Sequence, residues 1–119
     1  MFEIPVGDLL TSYTGDSKEL EFNGEVYDGY YDDLKLVKNL ELKIKIFSID
    51  DGVSVIIENL KTQVKYGDVL RFIEINNIER EFREKFELIN SDDIKYVSKN
   101  NSIDLKDVIR EEILIQCID

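Results

Sequence analysis

Residues 39–60 read "NLELKIKIFSIDDGVSVIIENL". In the first half Leu40, Leu42, Ile44 and Ile46 alternate with Glu41, Lys43 and Lys45. That is the period of a strand with one face covered and the other in water. Asp50, Asp51 and Gly52 carry hairpin turn chemistry, and Val53, Val55 and Ile57 resume the alternation on the way back. The stretch therefore predicts an antiparallel pair over residues 40–57, packed on one face and solvated on the other.

Working toward the N-terminus, "KELEFNGEV" (18–26) alternates Leu20 and Phe22 with Glu19, Glu21 and Asn23, again a strand. "VGDLLTSY" (6–13) suits a turn or two of helix with Val6, Leu9 and Leu10 on one side, ended by "TGDS". "FEIPV" (2–6) reads as a short strand, and Pro5 places it at an edge because proline cannot donate to a ladder.

Toward the C-terminus, "KTQVKY" (61–66) stays extended, Gly67 and Asp68 break it, and "VLRFIEI" (69–75) is another apolar strand. Asn76 and Asn77 are expected to turn the chain into "IEREFREKFELI" (78–89), which fits two periods. Ile78, Phe82 and Phe86 lie four apart, as on a helix, while Phe82, Glu84, Phe86 and Leu88 alternate as in a strand. Helix propensity favours the first reading and the short length the second; a strand is expected. The last element starts at Asp104, a good N-cap with Asp107 in the first turn. Leu105, Val108, Ile109 and Ile113 form one stripe, interrupted only by Glu112. The expected fold class is α+β: an antiparallel, curled sheet of about five or six strands covered by a C-terminal amphipathic helix. A chain of 119 residues predicts one domain spanning 1–119.

Composition narrows the function classes. The 43% hydrophobic and 10% aromatic content belongs to a folded chain. The N-terminus has no basic segment followed by an apolar run, and no apolar stretch approaches membrane-spanning length, so a cytoplasmic location is expected. With no histidine and a single cysteine, Cys117, there is no Ser-His or Cys-His nucleophile pair and no His-ligated zinc. Cys117 reads as a small apolar residue at the helix end, in a reducing compartment. Neither a Walker loop nor a glycine-rich dinucleotide motif occurs. No catalytic residue, metal or cofactor is expected, and no small-molecule substrate.

The formal net charge of −11 opposes long-range attraction to nucleic acid and favours a basic protein partner, although acidity also simply confers solubility. The most unusual local composition is "GEVYDGYYDDL" (24–34). There Tyr27, Tyr30 and Tyr31 supply aromatic contact area, and Asp32 and Asp33 stand ready for Lys or Arg from a partner. The plainer alternative is a loop whose tyrosines cap a sheet edge. A second candidate surface is the basic set Lys43, Lys45, Lys61 and Lys65, which would have to present cations together to bind RNA.

The order of the pieces "EIPVGDLL" (3–10), "TQVKYGDVLRFIEI" (62–75), "IEREFREKFELI" (78–89) and "IDLKDVIREEILIQC" (103–117) resembles the YceD family. These are bacterial and plastid proteins linked to accumulation of large-subunit (23S) ribosomal RNA. The Ile-Asp-Leu start and the paired acids before an aliphatic run are the most specific part of the likeness. Where members carry Cys-x-x-Cys-Leu, this chain has Tyr66, Val69 and Leu70. Members commonly continue into a cysteine-containing tail, which suggests a short variant here, or a chain trimmed before that tail. No thiol chemistry carries over. The resemblance implies a non-enzymatic accessory factor in large ribosomal subunit assembly, acting through a basic ribosomal protein, a pre-ribosomal particle or an rRNA–protein junction. Bare RNA would bind weakly and membranes not at all. The competing reading from charge is an acidic inhibitor, immunity-like or a nucleic-acid mimic, of a basic nucleic-acid-binding protein.

Overall fold

The computed structural model describes residues 3–24, 35–36, 39–84, 95–98 and 100–117, with 35–36 and 95–96 described as backbone strands. The predicted hairpin is its centre. Strand β4 (Leu40–Ile49) runs antiparallel to β5 (Gly52–Tyr66), which turns back into β6 (Val69–Arg83). On the far side of β4 lies β2 (Ser17–Gly24), and two short strands complete the sheet. β3 (Lys35–Leu36) pairs with β5 at Lys65 and Val64, and β7 (Lys95–Tyr96) runs parallel to β6 at Phe82 and Arg83. Among the described residues the sheet has six strands, within the expected number. A separate two-stranded sheet joins β1 (Glu3–Pro5) to β8 (Ser102–Asp104), pairing segments from opposite ends of the chain. The fold is α+β, with α1 (Gly7–Leu10) and α2 (Lys106–Cys117) as its helices.

Alternation explains the core. Leu40, Leu42, Ile44 and Ile46 of β4 and Val53, Val55 and Ile57 of β5 are all buried. They meet Val6, Leu9, Ile103, Leu105, Val108, Ile109 and Ile113 in one cluster. Each such side chain contributes roughly 1.5–3 kcal/mol before ordering entropy is charged. The Asp104 carboxylate accepts the Lys106 backbone N–H at 2.9 Å, capping α2 from one residue before the first helical carbonyl, that of Leu105.

Two details depart from the sequence reading. Asn76 and Asn77 do not turn the chain; they lie inside β6, which continues as a strand to Arg83. The strand reading for 78–89 holds as far as Arg83, and its remainder from residue 85 lies outside the described residues. The asparagines mark instead a slip in side-chain parity: Ile73 is buried before them, Ile78 and Phe82 after them. At the same level β5 slips too, from buried Ile57 to buried Leu60. The cause is a bulge against β4, with Asn59 at φ +54°. Because both strands slip together, their mutual register is unbroken, Glu58 facing Asn77 and Leu60 facing Ile75.

The second departure concerns Gly52. It is not a turn residue but the first residue of β5, opposite Ile49 and Arg83. A Cβ there would lie 2.0 Å from the Phe82 carbonyl oxygen, so only glycine lets the three strands close at this corner.

Candidate functional site

The tyrosine–acid residues Tyr27, Tyr30, Tyr31, Asp32 and Asp33 lie outside the described residues. Their flanks are described. The segment leaves the sheet at Gly24, opposite Leu40, and the chain rejoins it at Lys35, opposite Lys65.

The basic candidate surface is largely neutralised by strand pairing. Lys43 lies 3.6 Å from Glu19, and Lys45 lies 3.8 Å from Glu19 and 3.4 Å from Glu58. Lys61 sits between Glu41 on β4 and Glu74 on β6 in the ladder. Three of the four lysines that look like a cationic face in sequence are therefore interleaved with acids from neighbouring strands, while Lys65 stands opposite Leu70 and Lys35. That arrangement suits a solvated sheet face better than a phosphate track.

Two surfaces stand out that sequence reasoning did not single out. The first is the end of the β5–β6 hairpin, where Gly67 at φ +63° makes the turn. Around it Val69, Leu70 and Phe72 are 53%, 56% and 77% exposed. An open cleft of about 610 Å³ adjoins it, lined by Asn23, Asn39, Glu41, Lys61, Thr62 and Phe72. The second is a groove of about 250 Å³ between β1 and β2. Its apolar lining is Ile4 and Pro5 from β1, Leu20 and Phe22 from β2, and Ile44 from β4, and Glu3 and Glu21 also border it. The alternation of Leu20 and Phe22 marks them as core residues, yet Leu20 is 38% exposed and Phe22 half-buried. Among the described residues β2 is the last strand on its side of the sheet, and its inner face is only partly covered.

The groove's electrostatics are set by fixed partners. Glu3 accepts hydrogen bonds from Ser102 Oγ at 2.9 Å and Asn100 Nδ2 at 3.2 Å. Those donors hold its carboxyl below the usual range, so it is ionised at neutral pH. At the other end, Lys18 Nζ donates to the Pro5 carbonyl and to Asp8 at 3.1 Å, tying β2 to β1 and α1. The Lys18 hydrogen bond likewise lowers the Asp8 carboxyl. Glu21 is exposed, with no ion pair among the described residues. The groove thus offers an apolar floor with ionised Glu3 at one end and the Lys18–Asp8 pair at the other, while the Glu21 side chain lies on the opposite face of β2 from Leu20 and Phe22.

Among the described residues no three Cys, Asp or Glu side chains are grouped to hold a metal ion. Cys117 is buried in the core at the end of α2. No described helix is long and apolar enough to cross a membrane. No family model, curated protein or solved structure matches this chain.

Proposed function

We propose that this chain is a non-enzymatic interaction module that holds a basic protein. The observation that carries the reading is the groove between β1 and β2. An apolar floor edged by ionised Glu3, on a chain of net charge −11, is complementary to an aliphatic side chain flanked by Lys or Arg. The neutralised Lys43 and Lys45 argue against bare RNA as the principal ligand. The resemblance to the YceD family makes a basic protein of the large ribosomal subunit the first partner to test, with assembly of that subunit as the setting. Holding such a protein would suppress its indiscriminate binding to nucleic acid.

The test is titration of the chain with purified basic large-subunit ribosomal proteins, and separately with bare large-subunit rRNA, over a range of salt. Binding to a basic ribosomal protein that weakens as salt screens it is expected, with rRNA binding weak at physiological salt. Changing Asp32 and Asp33 together to Asn should leave the melting temperature unchanged and slow association. Tight, salt-resistant binding to bare rRNA would overturn the proposal.

A further inference from the structure

Among the described residues, β2 forms one edge of the six-stranded sheet. β2 pairs with β4 along its whole length, from Ser17 opposite Phe47 to Gly24 opposite Leu40, and among the described residues no strand pairs with its other side. Proteins ordinarily blunt such an edge with a proline, a bulge or an inward charge. β2 has no proline, its ladder with β4 is unbroken, and its only inward-facing charge is Lys18 at one end. The other long edge, that of β6, carries a parity slip at Asn76 and Asn77 and is partly capped by β7.

We infer that β2 receives an extended segment of the basic partner as an added strand, with alternating aliphatic and Lys or Arg side chains. This deepens the proposed function and rests on it. The pattern follows from the pleat. Leu20 and Phe22 face the groove, while Glu19 and Glu21 face outward in line with Lys45 and Lys43 of β4. An added strand sets its side chains beside these in the same alternation. Its inward residues extend the apolar floor, one of them filling the groove beside Ile4 and Pro5. Its outward residues meet Glu21, whose carboxylate has no ion pair among the described residues, with Glu19 already shared between Lys43 and Lys45. The ladder of backbone hydrogen bonds supplies affinity, and the alternation supplies specificity. A second copy of this chain is the wrong occupant. Antiparallel pairing of β2 with itself sets Glu19 or Glu21 opposite a glutamate in each central register, and like charges directly opposed are destabilising.

The test uses the whole chain and a synthetic peptide of alternating lysine and valine, long enough to span Ser17–Gly24. Its controls are the same peptide with alternate backbone nitrogens methylated and a glutamate-for-lysine version. Hydrogen exchange should slow on alternate amides of β2 when the lysine peptide binds, and binding should drop at least tenfold on backbone methylation. The glutamate peptide should not bind. Leu20→Lys, at a partly exposed position, should keep the fold and weaken the lysine peptide at least tenfold, while Ile115→Lys, at an exposed position of α2, should change nothing. If the peptide binds with β2 amides unprotected, or equally well when methylated, strand addition is overturned while a charge-driven basic partner stands. If neither the lysine peptide nor any basic protein binds, both proposals fall.

Discussion

Arg80 of β6 and Glu112 of α2 form a half-buried ion pair, guanidinium Nη2 to carboxylate Oε1, that joins the C-terminal helix to the sheet. Glu112 interrupts an otherwise aliphatic stripe, and Arg80 occupies a core-facing position of β6 between Ile78 and Phe82. Each compensates the other: without Arg80 a carboxylate would sit over apolar surface, and without Glu112 a guanidinium would. The pair fixes where α2 lies along β6 while the stripe supplies the burial.

Removing one partner of this pair should therefore cost more than removing both. Glu112→Leu or Arg80→Met alone is expected to destabilise by about 1–3 kcal/mol, leaving a partly buried charge. The double variant should recover most of that loss, since its side chains extend the apolar contact. Urea denaturation of the four proteins measures the coupling directly.

The helix is expected to be part of the core rather than an appendage. Ile109 is fully buried, so Ile109→Asp should cost several kcal/mol, on the order of the total stability of a domain this size. Ile115, on the same helix but 59% exposed, supplies the control. Ile115→Asp should stay within about 0.5 kcal/mol of the parent. Equal melting temperatures for the two variants would show that α2 does not pack on the sheet.

Gly52→Ala should be among the most damaging single-methyl changes in the chain. The added Cβ would meet Phe82 O at 2.0 Å and Arg83 Cα at 2.9 Å, both backbone, so the strands themselves would have to part. A loss above about 4 kcal/mol is expected, the range reserved for severe local disruption. Gly67→Asn, at a turn where nothing lies within 4 Å and asparagine tolerates positive φ, should cost about 1 kcal/mol or less. Thermal unfolding separates the two.

Acid should loosen the N-terminal strand first. The Glu3 carboxyl is lowered by Ser102 and Asn100, and the Asp8 carboxyl by Lys18. Groups whose folded pKa is depressed add stability above their unfolded pKa and lose it as pH falls through the folded one. Unfolding midpoints should hold near neutrality and fall as pH drops through and below the ordinary carboxylate range, where the lowered Glu3 and Asp8 carboxyls take up protons. Carboxyl resonances of Glu3 and Asp8 should titrate below the ordinary carboxylate range; normal titration of both would remove this account.

Much of the framework was legible from local period. Leu40 to Ile46 and Val53 to Ile57 are buried as their alternation implies, and Leu105, Val108, Ile109 and Ile113 as their helical spacing implies. The candidate surfaces were less so. Leu20 and Phe22 carry the same alternation as β4, but nothing local tells an edge strand from a central one. The five tyrosine and aspartate residues chosen for partner binding fall outside the described residues, so the groove and the hairpin end came from the fold.

The sequence by itself determined which residues seek burial and with what period, because side-chain polarity and pleat or helix geometry act within a single element. Only the tertiary structure decided what those elements meet. Glu19 neutralises Lys43 and Lys45 because β2 pairs with β4, and Gly52 is irreplaceable because Phe82 closes on it. Asn76 and Asn77 stay inside a strand because β5 slips beside them at Asn59. The groove exists because β8, from the far end of the chain, holds β1 beside β2. Contacts of that kind join segments distant in sequence, and their formation reflects the whole set of strand pairings and the closure of the loops between them, which no local period records.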